Sequence, residues 1–547
     1  MAFTGSVPVF MGLLLLLNVP LSLYRWFPTD EYMLLLVPTV ESLVIIWILH
    51  LKTRKGRRNT TSAAGVFLGV LLGILSGLAA AEAFFRFFYA RSFSLRGDIP
   101  MVRGGLLLLL GEIGPLIYVI APLTIAALLV VLGLAGWTVV HLMTATLRRF
   151  RPQTAALVVI TLIVLIPLTA AGRDASITAV TFLATQQAGS TKMDTIATAL
   201  QPAPPQILFE DDQAHYRLPG LQDRDIYVFL VEAYGYASTY RPELTEHLDP
   251  PREHLEAVLQ DKGYRVVTTY LESPVAGGYS WLADATLLTG QWINSQERFF
   301  QLYDADLPTL SGTLHDAGYY TFTLRPGTVH EPWPEGWDLY RFEESVIGYG
   351  GGFSYRGPRF SYVSVPDQFA LWRGHQRLQE LTAPGGDAYE RPVLAYYQLV
   401  SSHTPFTRIP PFIPDWNTLG NGDIYHLRAD DILLFNNSWT GGTQLIEGYV
   451  ASISYVFTVL TDYVQHVMDD SSDPIIVILG DHEPQRPIRS PQSVKSVPVH
   501  IAARDAVFLS RLIARGFTDG IHPDQPPPHE RMSTFFPMLM DIAREPR

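Results

Sequence analysis

Five long apolar runs occupy the first third of the chain: Val7 to Leu23, Tyr32 to Leu51, Ala63 to Ala81, Leu106 to Met143 and Thr154 to Ala171. About 17–25 apolar residues suffice to cross a bilayer as a helix, so each run predicts a membrane span. The fourth is too long for one upright helix; Leu106 to Leu110 reads as an interfacial lead-in, with the span starting near Pro115. Because four more spans follow, the first run does not read as a cleaved signal peptide. Beyond the Pro-rich stretch at Pro202, Pro204 and Pro205 the pattern changes. Short β-rich runs alternate with helical periodicity, as in a sheet covered by helices on both faces. Ile226 to Val231, Tyr264 to Tyr270, Tyr319 to Leu324, Val393 to Val400 and Ile475 to Leu479 read as strands, and Leu445 to Val467 as a helix. The expected organisation is a five-helix transmembrane domain over 1–172, a connector over 173–224 and an α/β domain over 225–547.

Charge in short loops sets the orientation. Lys52, Arg54, Lys55, Arg57 and Arg58 separate spans two and three, and Arg148, Arg149 and Arg151 separate spans four and five. These eight outnumber Arg91, Arg96 and Arg103 in the loop after span three, so the N-terminus is expected inside and everything after Ala171 outside the cytoplasm. Glu82 and Glu112 fall in or beside apolar stretches, where an ionised group is costly; they read either as interfacial side chains that snorkel or as functional groups. Composition agrees with a chain partly in lipid: 48% of residues are hydrophobic and only 17% charged. A formal net charge of −12 argues against a nucleic-acid binder. The chain has no cysteine, which excludes disulfides, thiolate metal sites and cysteine nucleophiles.

The polar residues of interest fall at the C-terminal ends of the expected strands, where sites lie in such folds. Glu232 follows Ile226–Val231 directly, and Asp481-His482 follows Ile475–Gly480 in the run IIVILGDHEP. Carboxylates and an imidazole at adjacent strand ends can converge on one cation, although each alone also suits a helix cap or a structural pair. Ser280 lies in the run AGGYSWLADATLLTG. It reads either as an N-cap after a glycine turn or as a hydroxyl placed where a helix N-terminus favours an oxyanion and a phosphate.

Together these residues resemble the alkaline phosphatase and sulfatase superfamily, in particular its membrane-anchored branch of lipoteichoic acid synthases, phosphoglycerol transferases and phosphoethanolamine transferases. Leu287-Leu288-Thr289-Gly290 follows Ser280 at the interval at which a sulfatase nucleophile precedes such a run. The resemblance spans Ile226 to about Val499 and implies a sulfatase-like α/β domain with a central mixed sheet flanked by helices. It also implies one divalent metal, Mn²⁺ favoured and Zn²⁺ or Mg²⁺ acceptable, on Glu232, Ser280, Asp481 and His482. Val400-Ser401-Ser402-His403-Thr404-Pro405-Phe406 resembles the strand-end segment whose histidine contacts substrate phosphate, which implies that role for His403. Trp333 and Arg325 fall where the family places a pocket wall and a phosphate contact. His500 is expected to be a packed strand-end histidine.

The departures narrow the reading. The nucleophile is Ser where the branch usually has Thr, and the Pro and Arg that a sulfatase carries two and four residues after its nucleophile are Leu282 and Asp284 here. Sulfatases also pair Asp residues where Glu232-Ala233 stands. A chain without cysteine cannot carry the disulfides usual in phosphoethanolamine transferases, so the likeness leans toward phosphoglycerol transfer. The implied function is ping-pong transfer of a phospho-alcohol head group from a phospholipid donor to an envelope glycan or glycolipid, at the outer side of a bacterial cytoplasmic membrane. The alternatives are a hydrolase with water as acceptor and an inactive module that senses lipid or metal. The topology is directly testable: reporter fusions at Asn59 and just after Arg173 are expected on opposite sides of the membrane, and the same side for both would overturn it.

Overall fold

The computed structural model describes residues 63–89, single positions between 91 and 145, and 218–545 apart from short stretches. The chain divides into two compact units, Met1–Gln201 and Pro202–Arg547. In the first, α1 (Ala63–Tyr89) begins with the third apolar run and continues past it through Glu82 and Arg86. Glu82 is buried, ion-paired to Arg86, and accepts a hydrogen bond from the Phe93 amide at 2.7 Å, so it is engaged within the fold and does not snorkel. Among the described residues no helix is long and apolar enough to cross a membrane. The spans expected at 7–23, 32–51 and 154–171, together with Glu112, lie outside the described residues, and of 106–143 only single positions are described.

The second unit is built on an eight-stranded sheet. In chain order its elements are β1 (Ile226–Val231), α2 (Pro242–Asp261), β2 (Arg265–Glu272), α3 (Ser280–Thr289), α4 (Leu310–Asp316), β3 (Tyr320–Arg325), β4 (Glu344–Ile347) and α5 (Asp367–Thr382). They continue with β5 (Val393–Leu399), α6 (Leu445–Asp462), β6 (Ile475–Gly480), β7 (Ser496–Ala503), α7 (Ala506–Ile513), β8 (Thr518–Asp519) and α8 (Phe535–Arg544). The strand order is β8-β2-β7-β6-β1-β5-β3-β4. From β6 to β4 the strands run parallel, whereas β7 is antiparallel to both β6 and β2. The sheet is mixed, as expected. Each expected strand is present within two residues at either end, and the expected helix from Leu445 is α6 followed by one π turn at Tyr463–Val467. Strand β7 is an addition that the apolar pattern did not single out.

The continuous apolar sequences of β1 and β6 are what a strand buried on both faces requires. Alternate residues of β1 serve two separate cores. Tyr227, Phe229 and Val231 pack with α2, α5 and α6 on one side, and Ile226, Val228 and Leu230 with α3, α7 and α8 on the other. Sandwiching fixes the strand ends, and register aligns them. Val231 pairs with Gly480 on one side and Leu399 on the other, so Glu232, Asp481 and Val400 emerge side by side. Gly480 is required by close approach: a Cβ there would lie 1.7 Å from the Tyr234 carbonyl oxygen. Gly480→Ala is therefore expected to lower stability by at least about 1–3 kcal/mol through overpacking, read as a lower denaturation midpoint; an unchanged midpoint would contradict the close approach.

Candidate active site

The turn that leads into α3 is built from three consecutive residues at positive φ: Gly277 (72°), Gly278 (140°) and Tyr279 (67°). Glycine adopts this conformation freely, while Tyr279 pays about 1–3 kcal/mol for it. The result places Ser280 at the first helical position, with Tyr279 at the N-cap making no side-chain cap bond. Ser280 is thus not the N-cap that one reading of the sequence allowed. Its Oγ instead donates to Glu232 Oε2 at 2.8 Å and stands 3.3 Å from His482 Nε2.

Around this hydroxyl the strand ends converge. His482 Nε2 lies 3.2 Å from Glu232 Oε1 and 3.6 Å from Asp481 Oδ2. Among the described residues, Glu232, Asp481 and His482 are the group whose ligand atoms all lie within 4.8 Å of one another. All three are buried, at 4%, 1% and 2% exposure. Each is also fixed from behind. Asp481 Oδ1 accepts from the Ala233 and His482 amides at 2.8 and 2.6 Å, and Ser273 Oγ donates to the Asp481 carbonyl at 2.6 Å. Ser402 Oγ donates to the Glu232 carbonyl at 2.6 Å. His482 Nδ1 lies 2.8 Å from the Glu483 carbonyl, which can only accept, so Nδ1 carries a proton and Nε2 faces the cluster.

The electrostatics follow from two buried carboxylates in contact. Burial works to raise Glu232, but the charges of His403 and His482 and the Ser280 hydrogen bond outweigh it and hold the carboxyl well below the usual range. Burial and the Glu232 charge push Asp481 up, beyond the ordinary carboxylate range. Burial opposes the imidazolium of His482, yet Asp481 and Glu232 hold it up to about 9. Without a cation the cluster keeps protons on Asp481 and His482 at neutral pH, which marks a deficit of positive charge. Two carboxylates, an imidazole and an adjacent hydroxyl fit a hard or borderline divalent cation.

The structure gathers Glu232, Ser280, Asp481 and His482 as the sequence suggested. His403, on the loop after β5, joins them electrostatically through Glu232. Arg325 and Trp333 form a unit with Asp284, which lies one helical turn beyond Ser280. Arg325 Nη1 donates to Asp284 Oδ2 at 2.6 Å, Tyr396 Oη donates to Asp284 Oδ1 at 2.6 Å, and the guanidinium lies 3.9 Å from the Trp333 ring. The Arg325 and Asp284 side chains are only 4% and 2% exposed. Arg325 Nε and Nη2 have no hydrogen-bond partner among the described residues. His500 is packed within β7, its ring nitrogens 2.9 Å from Thr268 Oγ1 and 2.9 Å from Tyr234 Oη, and burial lowers it to about 3. Ser273, Ser402 and the Asp284 pair were not anticipated; Asp284 was visible only as a departure from the sulfatase pattern.

No protein-family model matches the sequence, and no curated protein matches it. Among solved structures, the chain is similar to the lipoteichoic acid synthase LtaP from Listeria monocytogenes, at 14% identity and TM-score 0.37 over 60% of this chain and 73% of that one. It is also similar to a protein in the alkaline phosphatase superfamily from Vibrio parahaemolyticus, at 13% identity and TM-score 0.32 over 54% and 62% of the two chains. A third is the Streptococcus pyogenes phosphoglycerol transferase GacH in complex with sn-glycerol-1-phosphate, at 12% identity and TM-score 0.32 over 52% and 70%. The chemistry rests on the cluster itself.

Cation binding must displace protons that the cluster holds, so affinity is expected to rise with pH through neutrality and to level off once the cluster is deprotonated. Calorimetric titration with Mn²⁺ in buffers of different ionisation enthalpy should register net proton release at pH 7, and none would contradict the protonated cluster. Asp481→Ala and His482→Ala should each lose metal retention; full occupancy in either variant would remove that residue from the ligand set.

Proposed function

We propose that this chain is a phosphoryl-transfer enzyme of the alkaline phosphatase superfamily that moves a phospho-alcohol head group, phosphoglycerol in the first place, from a phospholipid to an envelope glycan or glycolipid. The observation that carries the reading is the Ser280 hydroxyl at the N-terminus of α3, hydrogen-bonded to Glu232 within the Glu232–Asp481–His482 cluster. A hydroxyl that merely capped a helix would bond a backbone amide, and this one does not.

Glu232, Asp481 and His482, with Ser280, would hold a divalent cation, Mn²⁺ favoured by the motif resemblance. Once bound, such an ion acidifies a neighbouring hydroxyl and neutralises phosphoryl oxygens. Ser280 Oγ attacks phosphorus, its proton passing to the Glu232 oxygen that already accepts it. The bond from phosphorus to the diacylglycerol oxygen breaks as His403 gives that oxygen a proton, and a phosphodiester forms between Ser280 and the head-group alcohol. The α3 N-terminus favours the negative charge of the phosphoryl group. In the second half-reaction, His403, which has by then given up its proton, takes the proton of the acceptor hydroxyl as that oxygen displaces Ser280, and Ser280 Oγ recovers its own proton from Glu232. Trp333 and Arg325 belong to this reading as the wall of the head-group pocket, with Arg325 Nε and Nη2 as the donors not already used by Asp284. The site works outside the cytoplasm, on the side where the lipid donor and envelope acceptor meet.

The test uses phospholipids labelled in the head group. Wild-type protein is expected to remove the label from lipid, and mass spectrometry without acceptor should find it on the peptide containing Ser280. Label released only as free head group would identify water as the second acceptor. Ser280→Ala is expected to keep the fold and lose turnover by roughly 10³-fold or more, whereas Ser280→Thr keeps the hydroxyl and some activity. A Ser280→Ala enzyme that transfers near the wild-type rate would sink the mechanism.

A further inference from the structure

His403 carries the proton in the reading above, yet it sits on a loop, and the outer torsion of a histidine is broad. Three contacts remove that freedom. Its Nδ1 lies 2.6 Å from the Thr404 carbonyl, which can only accept, so Nδ1 carries a proton. The loop backbone is tied at both sides. Asp367, at the start of α5, accepts the Val400 amide at 2.8 Å and the Ser401 amide at 3.1 Å, while Ser402 Oγ holds the Glu232 carbonyl. The third contact is the Tyr362 ring, which stacks on the imidazole with centroids 3.9 Å apart and planes within 17°. Tyr362 also lines a small pocket with Phe360, Pro366 and Ser401, which ties it to the same loop.

We propose that Tyr362 is a positioning residue: its ring fixes the plane of the His403 imidazole so that Nε2 stays aligned with the oxygen that enters or leaves at Ser280. This rests on the reading of Ser280 and His403 given above. A flat stack covers one face of the imidazole and makes no contact in the ring plane, so it restrains the ring without competing for its hydrogen bonds. The neighbourhood agrees. The His403 charge is the first of the influences that lower Glu232 against burial, and the Tyr362 hydroxyl is pushed up to about 12 by burial and by the Glu232 charge. Tyr362 is therefore neutral and acts through its ring.

The test compares Tyr362→Phe, Tyr362→Leu and His403→Ala in the full-length enzyme on head-group-labelled phospholipid. Tyr362→Phe keeps the stack and should stay within about 3-fold of wild type. Tyr362→Leu should lower kcat by roughly 10–100-fold with the donor KM little changed, the loss expected when an acid–base group is misaligned. In the His403→Ala background the same Leu change should add almost nothing, since it acts through the missing imidazole. A readout independent of turnover is the His403 ring-proton resonance in histidine-labelled protein, assigned by its loss in His403→Ala. It should be shifted upfield by the Tyr362 ring in wild type and Tyr362→Phe, and not in Tyr362→Leu. No such shift in wild type, or a Tyr362→Leu enzyme with wild-type kcat, would overturn the proposal. Wild-type protein that moves no head group while showing the shift would overturn the transfer reading, and the catalytic role with it, but not the stack.

Discussion

Two buried carboxylates held in contact by strand register are the constraint on which the rest of the site depends. Val231 pairs with Gly480, so the next residue of each strand, Glu232 and Asp481, meets the other where water does not reach. Buried charges cost roughly several kcal/mol each unless they are paired and hydrogen-bonded. Every nearby group answers that cost. The Ala233 and His482 amides and the Ser280 hydroxyl donate to the carboxylates, and the His482 imidazole sits between them. What the protein's own groups leave unbalanced is positive charge, and protons on Asp481 and His482 fill that role until a cation takes it.

Part of the local backbone strain falls at the same place. Ala233 and Tyr279, both at positive φ without being glycine, directly adjoin Glu232 and Ser280. Each costs about 1–3 kcal/mol and persists only where its surroundings over-determine it. Here the surroundings are close backbone packing, with no room for a side chain at Gly480 or at Gly235, where a Cβ would lie 2.5 Å from Glu483 Cα. The strain turns each chain sharply at the strand or helix end. That is how a carboxylate and a hydroxyl 48 residues apart in sequence reach hydrogen-bond distance.

The residues that could be found from sequence are those that end a strongly patterned element. Glu232 and Asp481-His482 follow runs so apolar that only a buried strand fits, and strand ends in such folds converge. Ser280 follows a double glycine and precedes a helix, which limits what its position can mean. Tyr362, Asp367 and the Asp284–Arg325 pair carry no such mark. Each acts through a partner 33 to 41 residues away, Asp367 on the Val400 amide and Asp284 on Arg325, and single-sequence periodicity reports nothing about contacts of that range. Arg325 shows the consequence. The family resemblance suggested a phosphate contact there, whereas one of its nitrogens is already committed to a buried carboxylate.

That commitment has its own logic. Residues one helical turn apart lie about 5–6 Å from each other, so the Asp284 carboxylate adds a third negative charge below Ser280, close to a centre already short of positive charge. Arg325 cancels it from the neighbouring strand, and Trp333 and Tyr396 enclose the guanidinium at 3.9 and 5.7 Å. Removing one partner of such a buried pair leaves the other uncompensated, at about 3–5 kcal/mol. The pair also keeps α3 itself free of a cationic side chain next to Ser280, where the sulfatase pattern carries its arginine. Positive potential at the hydroxyl then comes from the helix N-terminus and His482, and from the cation proposed for the cluster. The balancing charge comes from β3, across the fold, so the position of the Ser280 hydroxyl depends on how α3 packs against the sheet as much as on the turn that starts it.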